Sequence, residues 1–114
     1  MRNRAIIGLL AAVLLAACGG GDGGGGGAEC VATTDLTMVD NAFEPLCLEV
    51  APDSTLNITN EGIAIHSFTV ESAGIDVDVQ GGDSATVELS GVSAGETPVT
   101  CTFHPEMTGT LQVR

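Results

Sequence analysis

The sequence predicts an all-β protein, an antiparallel β-sandwich of about seven or eight short strands. Two observations support this fold class. Short runs of alternating apolar and polar residues recur between residues 29 and 114, and Gly, Pro, Asn and Asp separate them. No sustained helical period occurs in this part of the chain, although residues 71–78 are compatible with a short helix. Short strands at such spacing favour a sandwich of two sheets.

The positions of the strands follow from the alternation. Turns are expected at residues 51–54 and 60–62, where Pro, Asp, Asn and Gly cluster and glycine can adopt a positive φ. Between and around these turns, strands are predicted near Leu36 and Met38 with Phe43 at the exit, then at Leu46–Val50, Leu56–Ile58, Ile63–Val70, Ile75–Val79, Ala85–Leu89, Pro98–Cys101 and Thr110–Val113.

The first 17 residues have the features of a secretory signal. Arg2 and Arg4 precede an apolar run of about 13 residues, too short for the roughly 20 needed to cross a bilayer. The run ends in Leu-Ala-Ala-Cys, which resembles the bacterial lipoprotein box, in which the Cys receives a lipid. An ordinary signal with a chance Cys is the alternative. We therefore predict a signal peptide at 1–17 and lipidation at Cys18, which would hold the protein on a membrane surface.

The next segment predicts a tether between the lipid and a single folded domain. Residues 19–27 are all Gly except Asp22, a composition typical of a flexible linker with a reach of about 20 Å. We assign 18–28 to the lipidated Cys and linker, and 29–114 to the domain. The expected location is extracytoplasmic, on a bacterial membrane surface facing the periplasm or the cell exterior.

The charge of the exported chain excludes one class of partner. After residue 17 the only basic residue is Arg114 while all 15 acidic residues remain, so the formal net charge is −14. Nucleic-acid binding needs a basic surface and is not expected. The acidity would attract a positively charged partner protein, or it would simply keep the protein soluble.

Four residues form a candidate metal site. Cys101, His104 and Met107 follow one another at intervals of three residues, in a segment between two predicted strands. The chain contains two histidines, and the other one, His66, lies in a predicted strand earlier in the sequence. A lone His on an apolar face is more often a hydrogen-bonded core residue than a ligand. The Cys-His-Met run changes that weighting, because its three side chains can turn towards one point.

The chemistry of this ligand set is typical of one metal. Two His and one Cys with a distant axial Met describe a blue-copper electron-transfer centre. Thiolate and thioether ligands suit Cu(I) and imidazoles support Cu(II), so both oxidation states are accommodated. Zinc seldom uses a thioether. We predict one mononuclear copper per chain, bound by His66, Cys101, His104 and Met107.

The remaining cysteines are expected to form a disulfide. Cys18 is assigned to the lipid and Cys101 to the metal, which leaves Cys30 and Cys47. Export to an oxidising compartment favours their pairing.

Beyond the ligands, the sequence resembles the cupredoxin family over residues 33–114. The loop C-T-F-H-P-E-M is similar to the short ligand loop of the amicyanin-like members, and T-G-T-L-Q-V at 108–113 resembles the family's closing strand. N-A-F-E-P-L-C-L-E-V and T-N-E-G-I-A-I-H-S-F-T-V resemble the approach to its third strand and its first-histidine region. The resemblance implies a Greek-key β-sandwich with copper at one end, bound by the four residues above.

The chain departs from this family at two positions near the proposed site. Ser67 stands where many members have Asn, and Val99 stands where many have an aromatic residue. Ser67 can still donate through its N–H and hydroxyl, and donors behind the ligands tune the metal. Pro105 lacks an N–H and fixes φ, so it should stiffen the loop without competing for the thiolate.

Three functions are compatible with these residues. Electron transfer is favoured by the single site, the rigid His-Pro loop and the lack of Met-rich or His-rich tracts, and it makes the protein a carrier rather than an enzyme. Copper sequestration or delivery would use the same four ligands. A thiol enzyme with a Cys-His pair would leave Met107 without a role.

The electron-transfer hypothesis makes further predictions. His104 should lie near the surface as the electron port, with Phe103 and Pro105 providing apolar contact. The partner would be a redox protein, such as a cationic cytochrome or a membrane oxidoreductase, and the protein is expected to be monomeric.

Overall fold

The computed structural model describes residues 29–114, which form two β-sheets. Ten strands occur in this part of the chain: β1 Val31–Ala32, β2 Asp35–Val39, β3 Ala42–Glu44, β4 Cys47–Val50, β5 Thr55–Asn60, β6 His66–Val70, β7 Ile75–Val79, β8 Ser84–Glu88, β9 Gly95–Thr100 and β10 Thr108–Val113. One sheet has the order β1-β4-β10-β9-β6-β7 and the other β3-β2-β5-β8. The predicted all-β sandwich is confirmed.

The pairing of the strands is mixed rather than purely antiparallel. Three pairs are parallel: β1 with β4, β4 with β10, and β2 with β5. In all three pairs the chain passes through the other sheet between the two strands, and the second strand runs in the same direction as the first. The long connections of a Greek-key sandwich produce such neighbours, which short hairpins cannot.

The local alternation predicted some strands better than others. β7 has the predicted bounds, and the open possibility of a short helix at 71–78 reduces to a 3₁₀ turn at Glu71–Ala73. The strand predicted from Ile63 begins only at His66. Ile63 is 92% exposed and Leu46 is 51% exposed, so these two apolar residues mark loops and not the core.

The core lies between the two sheets. Its largest side chains are fully buried and come from both layers: Phe43, Phe68, Leu36, Met38, Leu48, Leu56, Ile58, Leu89, Met107 and Leu111. Val99, in the place of the family's aromatic residue, is also buried in this cluster. An aliphatic side chain therefore occupies this core position in place of an aromatic one.

The predicted disulfide is present. Cys30 and Cys47 are bonded, with their Cα atoms 4.4 Å apart. The bond ties the segment before β1 to the first residue of β4. It therefore secures the start of the domain to the six-stranded sheet.

The predicted signal peptide and the whole of the predicted linker, including Cys18, lie outside the described residues. Within residues 29–114 no helix has the length and apolar character needed to cross a membrane.

Candidate metal centre

The fold brings the predicted ligands to one end of the six-stranded sheet. His66 is the first residue of β6, Cys101 directly follows β9, and Met107 directly precedes β10. β6 and β9 are antiparallel neighbours with Thr69 opposite Thr100, so the start of β6 lies beside the residues that follow β9. The order of strands in the sheet therefore places His66 next to the Cys-His-Met loop, although the two are far apart in the sequence.

The donor atoms converge. His66 Nδ1 lies 3.2 Å from His104 Nδ1 and 4.0 Å from Cys101 Sγ, and His104 Nδ1 lies 3.7 Å from the same sulfur. One donor atom from each of these residues lies within 4.8 Å of the others. Met107 is also near this group and its side chain is buried. Both imidazoles thus direct Nδ1 towards the thiol.

Ser67 anchors the thiol-bearing segment. Its backbone N–H donates to Cys101 Sγ across 3.3 Å, and its hydroxyl accepts a hydrogen bond from the Thr102 N–H across 2.8 Å. The Ser67 hydroxyl also lies 2.8 Å from Thr69 Oγ1, which donates to Asp76 Oδ1 across 2.9 Å. A chain of hydroxyl groups ending on a carboxylate therefore occupies the place beside the first histidine where many family members carry Asn.

Backbone hydrogen bonds close the ligand loop on itself. The Cys101 N–H donates to the Met107 carbonyl across 3.2 Å, and the Met107 N–H donates to the His104 carbonyl across 2.9 Å. The second bond closes a turn whose second residue is Pro105, a position that proline favours because of its fixed φ. The turn therefore supports the expected role of Pro105 in stiffening the loop.

The two histidines differ in exposure as expected. His66 is fully buried, whereas His104 is partly exposed. Next to His104, Phe103 is 44% exposed and Pro105 is exposed. The only one of the two imidazoles that solvent can reach is therefore the one in the loop.

One residue that the sequence analysis missed contacts a candidate ligand. Asp40, in the turn between β2 and β3, has its Oδ1 3.3 Å from His66 Nε2. The same oxygen accepts hydrogen bonds from the N–H groups of Ile63 at 3.0 Å and Ala64 at 3.2 Å. The bond from Ala64 contributes most to lowering the pKa of Asp40 below its ordinary value, against a smaller opposing effect of desolvation, so the group is a carboxylate at neutral pH.

Asn60 holds the same loop from the inside. It is fully buried at the end of β5, and its Nδ2 donates to the carbonyls of Ala64 and Val79, each across 2.9 Å. Its Oδ1 accepts from the Gly62 N–H across 2.9 Å. The sequence analysis treated Asn60 only as a turn residue. Its burial follows the alternation of β5, in which every second residue faces inwards.

Comparison with known families identifies the family of the chain. A family profile described as the cupredoxin-like domain matches residues 5–113. The chain belongs to the cupredoxin-like family. No curated protein matches this cupredoxin. The resemblance predicted from the ligand loop and the closing strand is confirmed.

Solved structures show the same fold at low sequence identity. A reduced variant of amicyanin has a TM-score of 0.60 at 20% identity, with 73% of this chain and 82% of that chain covered. A purple cupredoxin from Nitrosopumilus maritimus has a TM-score of 0.58 at 18% identity, covering 70% and 98%. A copper-containing nitrite reductase from Thermus scotoductus has a TM-score of 0.61 at 22% identity. That match covers 76% of this chain and 23% of the reductase, so this cupredoxin spans about a quarter of that protein.

The residues at the site of this cupredoxin fit one mononuclear copper ion. A thiol, two imidazole nitrogens and a nearby thioether are the ligand types of a type 1 copper centre. Among the described residues, every buried side-chain nitrogen or oxygen atom has a hydrogen-bond partner, so the polar groups around the ligands are already satisfied.

Proposed function

We propose that this cupredoxin is an extracytoplasmic electron-transfer protein whose copper is bound by His66, Cys101, His104 and Met107. The observation that carries the proposal is the convergence of both Nδ1 atoms on Cys101 Sγ, with the Ser67 N–H already directed at the sulfur. When bound at this set of ligands, copper supplies a one-electron couple between Cu(II) and Cu(I). The protein holds the ligands and limits their movement between the two states.

The rigidity of the site supports electron transfer over copper delivery. His66 is fully buried at the start of a strand, and the loop that carries the other ligands is closed by two backbone hydrogen bonds. A site that releases its metal needs ligands that can move apart. Here the contacts that position the ligands belong to the sandwich itself.

We further propose that electrons pass through His104. Its ring is the partly exposed one of the pair, and the exposed side chains of Phe103 and Pro105 lie beside it in the chain. A partner that packs on these apolar groups would approach the metal through a single imidazole. The net charge of −14 after the predicted signal, from one basic and 15 acidic residues, favours a cationic redox partner.

The same proposal places the protein on a bacterial membrane surface. The predicted lipid on Cys18 and the Gly-rich segment after it would let the domain move within about 20 Å of its anchor. The disulfide between Cys30 and Cys47 is consistent with an oxidising compartment.

We propose no catalytic activity for the chain. The nitrite reductase with the same fold is an enzyme, and this chain spans 23% of its length. A thiol-enzyme mechanism would need Cys101 accessible to a substrate, and this residue is 3% exposed.

Repeated redox cycling in the presence of a copper chelator tests the proposal. The copper-loaded domain is reduced and reoxidised several times, and protein-bound copper is measured after each cycle. Electron transfer predicts that copper stays bound and that the optical signal returns after each cycle. Transfer of copper to the chelator on reduction would contradict it and would favour delivery.

A second measurement concerns the partner. Reduction of a basic cytochrome by the Cu(I) protein should slow as ionic strength rises from 10 to 150 mM, because salt screens attraction between opposite charges. A rate independent of salt would contradict the proposed cationic partner.

A further inference from the structure

The contact between Asp40 and His66 joins the two sheets at the candidate metal centre. Asp40 follows β2 in the four-stranded sheet, and His66 begins β6 in the six-stranded sheet, 26 residues further along the chain. The carboxylate oxygen Oδ1 accepts from two consecutive backbone N–H groups, those of Ile63 and Ala64, and lies 3.3 Å from His66 Nε2. A single oxygen atom therefore accepts two backbone hydrogen bonds and also lies within hydrogen-bond distance of the His66 ring.

The direction of the His66 ring gives this contact a chemical consequence. A neutral imidazole carries one N–H, and the nitrogen without it is the one that can bind a metal. His66 Nδ1 faces His104 Nδ1 and Cys101 Sγ, while Nε2 faces Asp40. A carboxylate can only accept, so it favours the tautomer with the proton on Nε2 and leaves the lone pair on Nδ1.

We propose that Asp40 is a positioning residue for the copper ligand His66. It holds the ring in the Nε2–H tautomer, and its negative charge favours Cu(II) over Cu(I). This inference rests on the proposed copper site and goes beyond it, because it assigns control of the reduction potential to a residue outside the ligand set. The side chain of Asp40 is 46% exposed, so salt screens part of its charge and the effect on potential is moderate.

The surrounding backbone is shaped to admit the carboxylate. A Cβ atom at Gly62 would overlap Asp40 Oδ1, so glycine leaves the space that the carboxylate occupies. Asn41, the other residue of the turn, has a φ of 68°, which Asn tolerates better than most residues. The loop that contains Gly62 thus leaves room for the side chain of the turn that contains Asp40.

Asp40→Asn separates the charge from the hydrogen bonds. The amide oxygen can still accept from Ile63, Ala64 and His66, while the unit charge is lost. We expect the Cu(II)/Cu(I) equilibrium of the loaded domain to shift towards Cu(I) by about tenfold. That shift equals a rise of about 59 mV in the potential of a one-electron couple.

Asp53→Asn is the matched control. Asp53 lies just before β5, and Asn60 is the last residue of β5. Asn60 pairs with Met38 near the end of β2, close to Asp40 in the chain. The length of β5 places Asp53 about 20 Å away from the site. It also has a φ of 61°, which Asn accepts, so the control removes one carboxylate without strain. Its potential should equal that of the unchanged protein, and an equal shift in both variants would overturn the assignment to Asp40.

Asp40→Ala and Gly62→Ala test the position of the ring in the metal-free domain. The nitrogen chemical shifts of His66 report its tautomer by NMR. The unchanged protein should show Nε2–H alone, whereas both variants should show a mixture. A Nε2–H ring that persists in Asp40→Ala would overturn the proposal, because the protein would then fix the tautomer without the carboxylate.

The two sets of measurements separate this inference from the proposed function. A blue copper protein whose potential and tautomer are unchanged in the Asp40 variants would refute the role of Asp40 and leave electron transfer standing. A domain that binds no copper would refute the proposed function. The tautomer in the metal-free protein would still show whether Asp40 positions His66.

Discussion

The backbone N–H of Ser67 donates a hydrogen bond to Cys101 Sγ across 3.3 Å, and this contact joins the strand of one candidate ligand to the loop that carries the other three. The Ser67 hydroxyl adds a second link through the Thr102 N–H. A single buried residue therefore fixes the thiol between the two parts of the site.

The hydroxyl of Ser67 should matter more than an ordinary surface hydroxyl. Ser67→Ala leaves the Thr102 N–H without its acceptor and breaks the chain to Thr69, so we expect a loss of about 1–3 kcal/mol in unfolding free energy. Ser84→Ala is the control, since its hydroxyl bonds only Thr59 at an exposed position. Chemical denaturation of the metal-free domain measures both, and equal losses would contradict the role given to Ser67.

The side chain of Met107 should tune the copper site more than it stabilises the fold. Met107→Leu conserves volume at a fully buried position and keeps both backbone hydrogen bonds of the loop, so we expect less than about 1.5 kcal/mol of destabilisation. The reduction potential should rise, because the axial ligand tunes it.

Leu89→Met provides the reverse exchange away from the site. Leu89 is buried just beyond β8, at the end of the strand that pairs with the start of β5. Voltammetry should show no change in potential for this variant. An unchanged potential in Met107→Leu would mean that the thioether is not a ligand.

The disulfide should stabilise the domain without affecting the metal. Closure of a loop of 17 residues by Cys30 and Cys47 contributes about 3 kcal/mol in the chain-entropy model. The double variant Cys30→Ala/Cys47→Ala should lose about that free energy of unfolding, with an unchanged visible spectrum when copper is bound. A changed spectrum would show that the bond also shapes the ligand loop.

The predicted lipid anchor can be tested in the full chain. In a bacterial host the unchanged protein should fractionate with membranes, whereas Cys18→Ser should remove the acylated residue and release the domain to the soluble extracytoplasmic fraction. Equal membrane association of both proteins would contradict lipidation at Cys18.

The sequence indicated the candidate ligands because their chemistry is local and rare. Cys101, His104 and Met107 lie within seven residues, and with only two histidines in the chain His66 was the remaining choice. The bounds of β7 and the pairing of Cys30 with Cys47 also followed from alternation and from elimination.

The missed features depend on contacts between distant parts of the chain. The Asp40 carboxylate is one of 15 acidic groups, and nothing in the local sequence indicates that it reaches His66 in the other sheet. Ile63 has the apolar character of a strand residue, but Asn60 and Asp40 bind the backbone around it and hold it in a loop. Parallel pairing of β2 with β5 is likewise a result of the crossover connections.

The most direct test of the copper site is the visible spectrum of the purified domain after addition of Cu(II). We expect an intense blue absorption from thiolate-to-copper charge transfer, which is lost in Cys101→Ser while the fold is retained. A colourless domain, or a blue colour that survives in Cys101→Ser, would contradict a copper centre built on His66, Cys101, His104 and Met107.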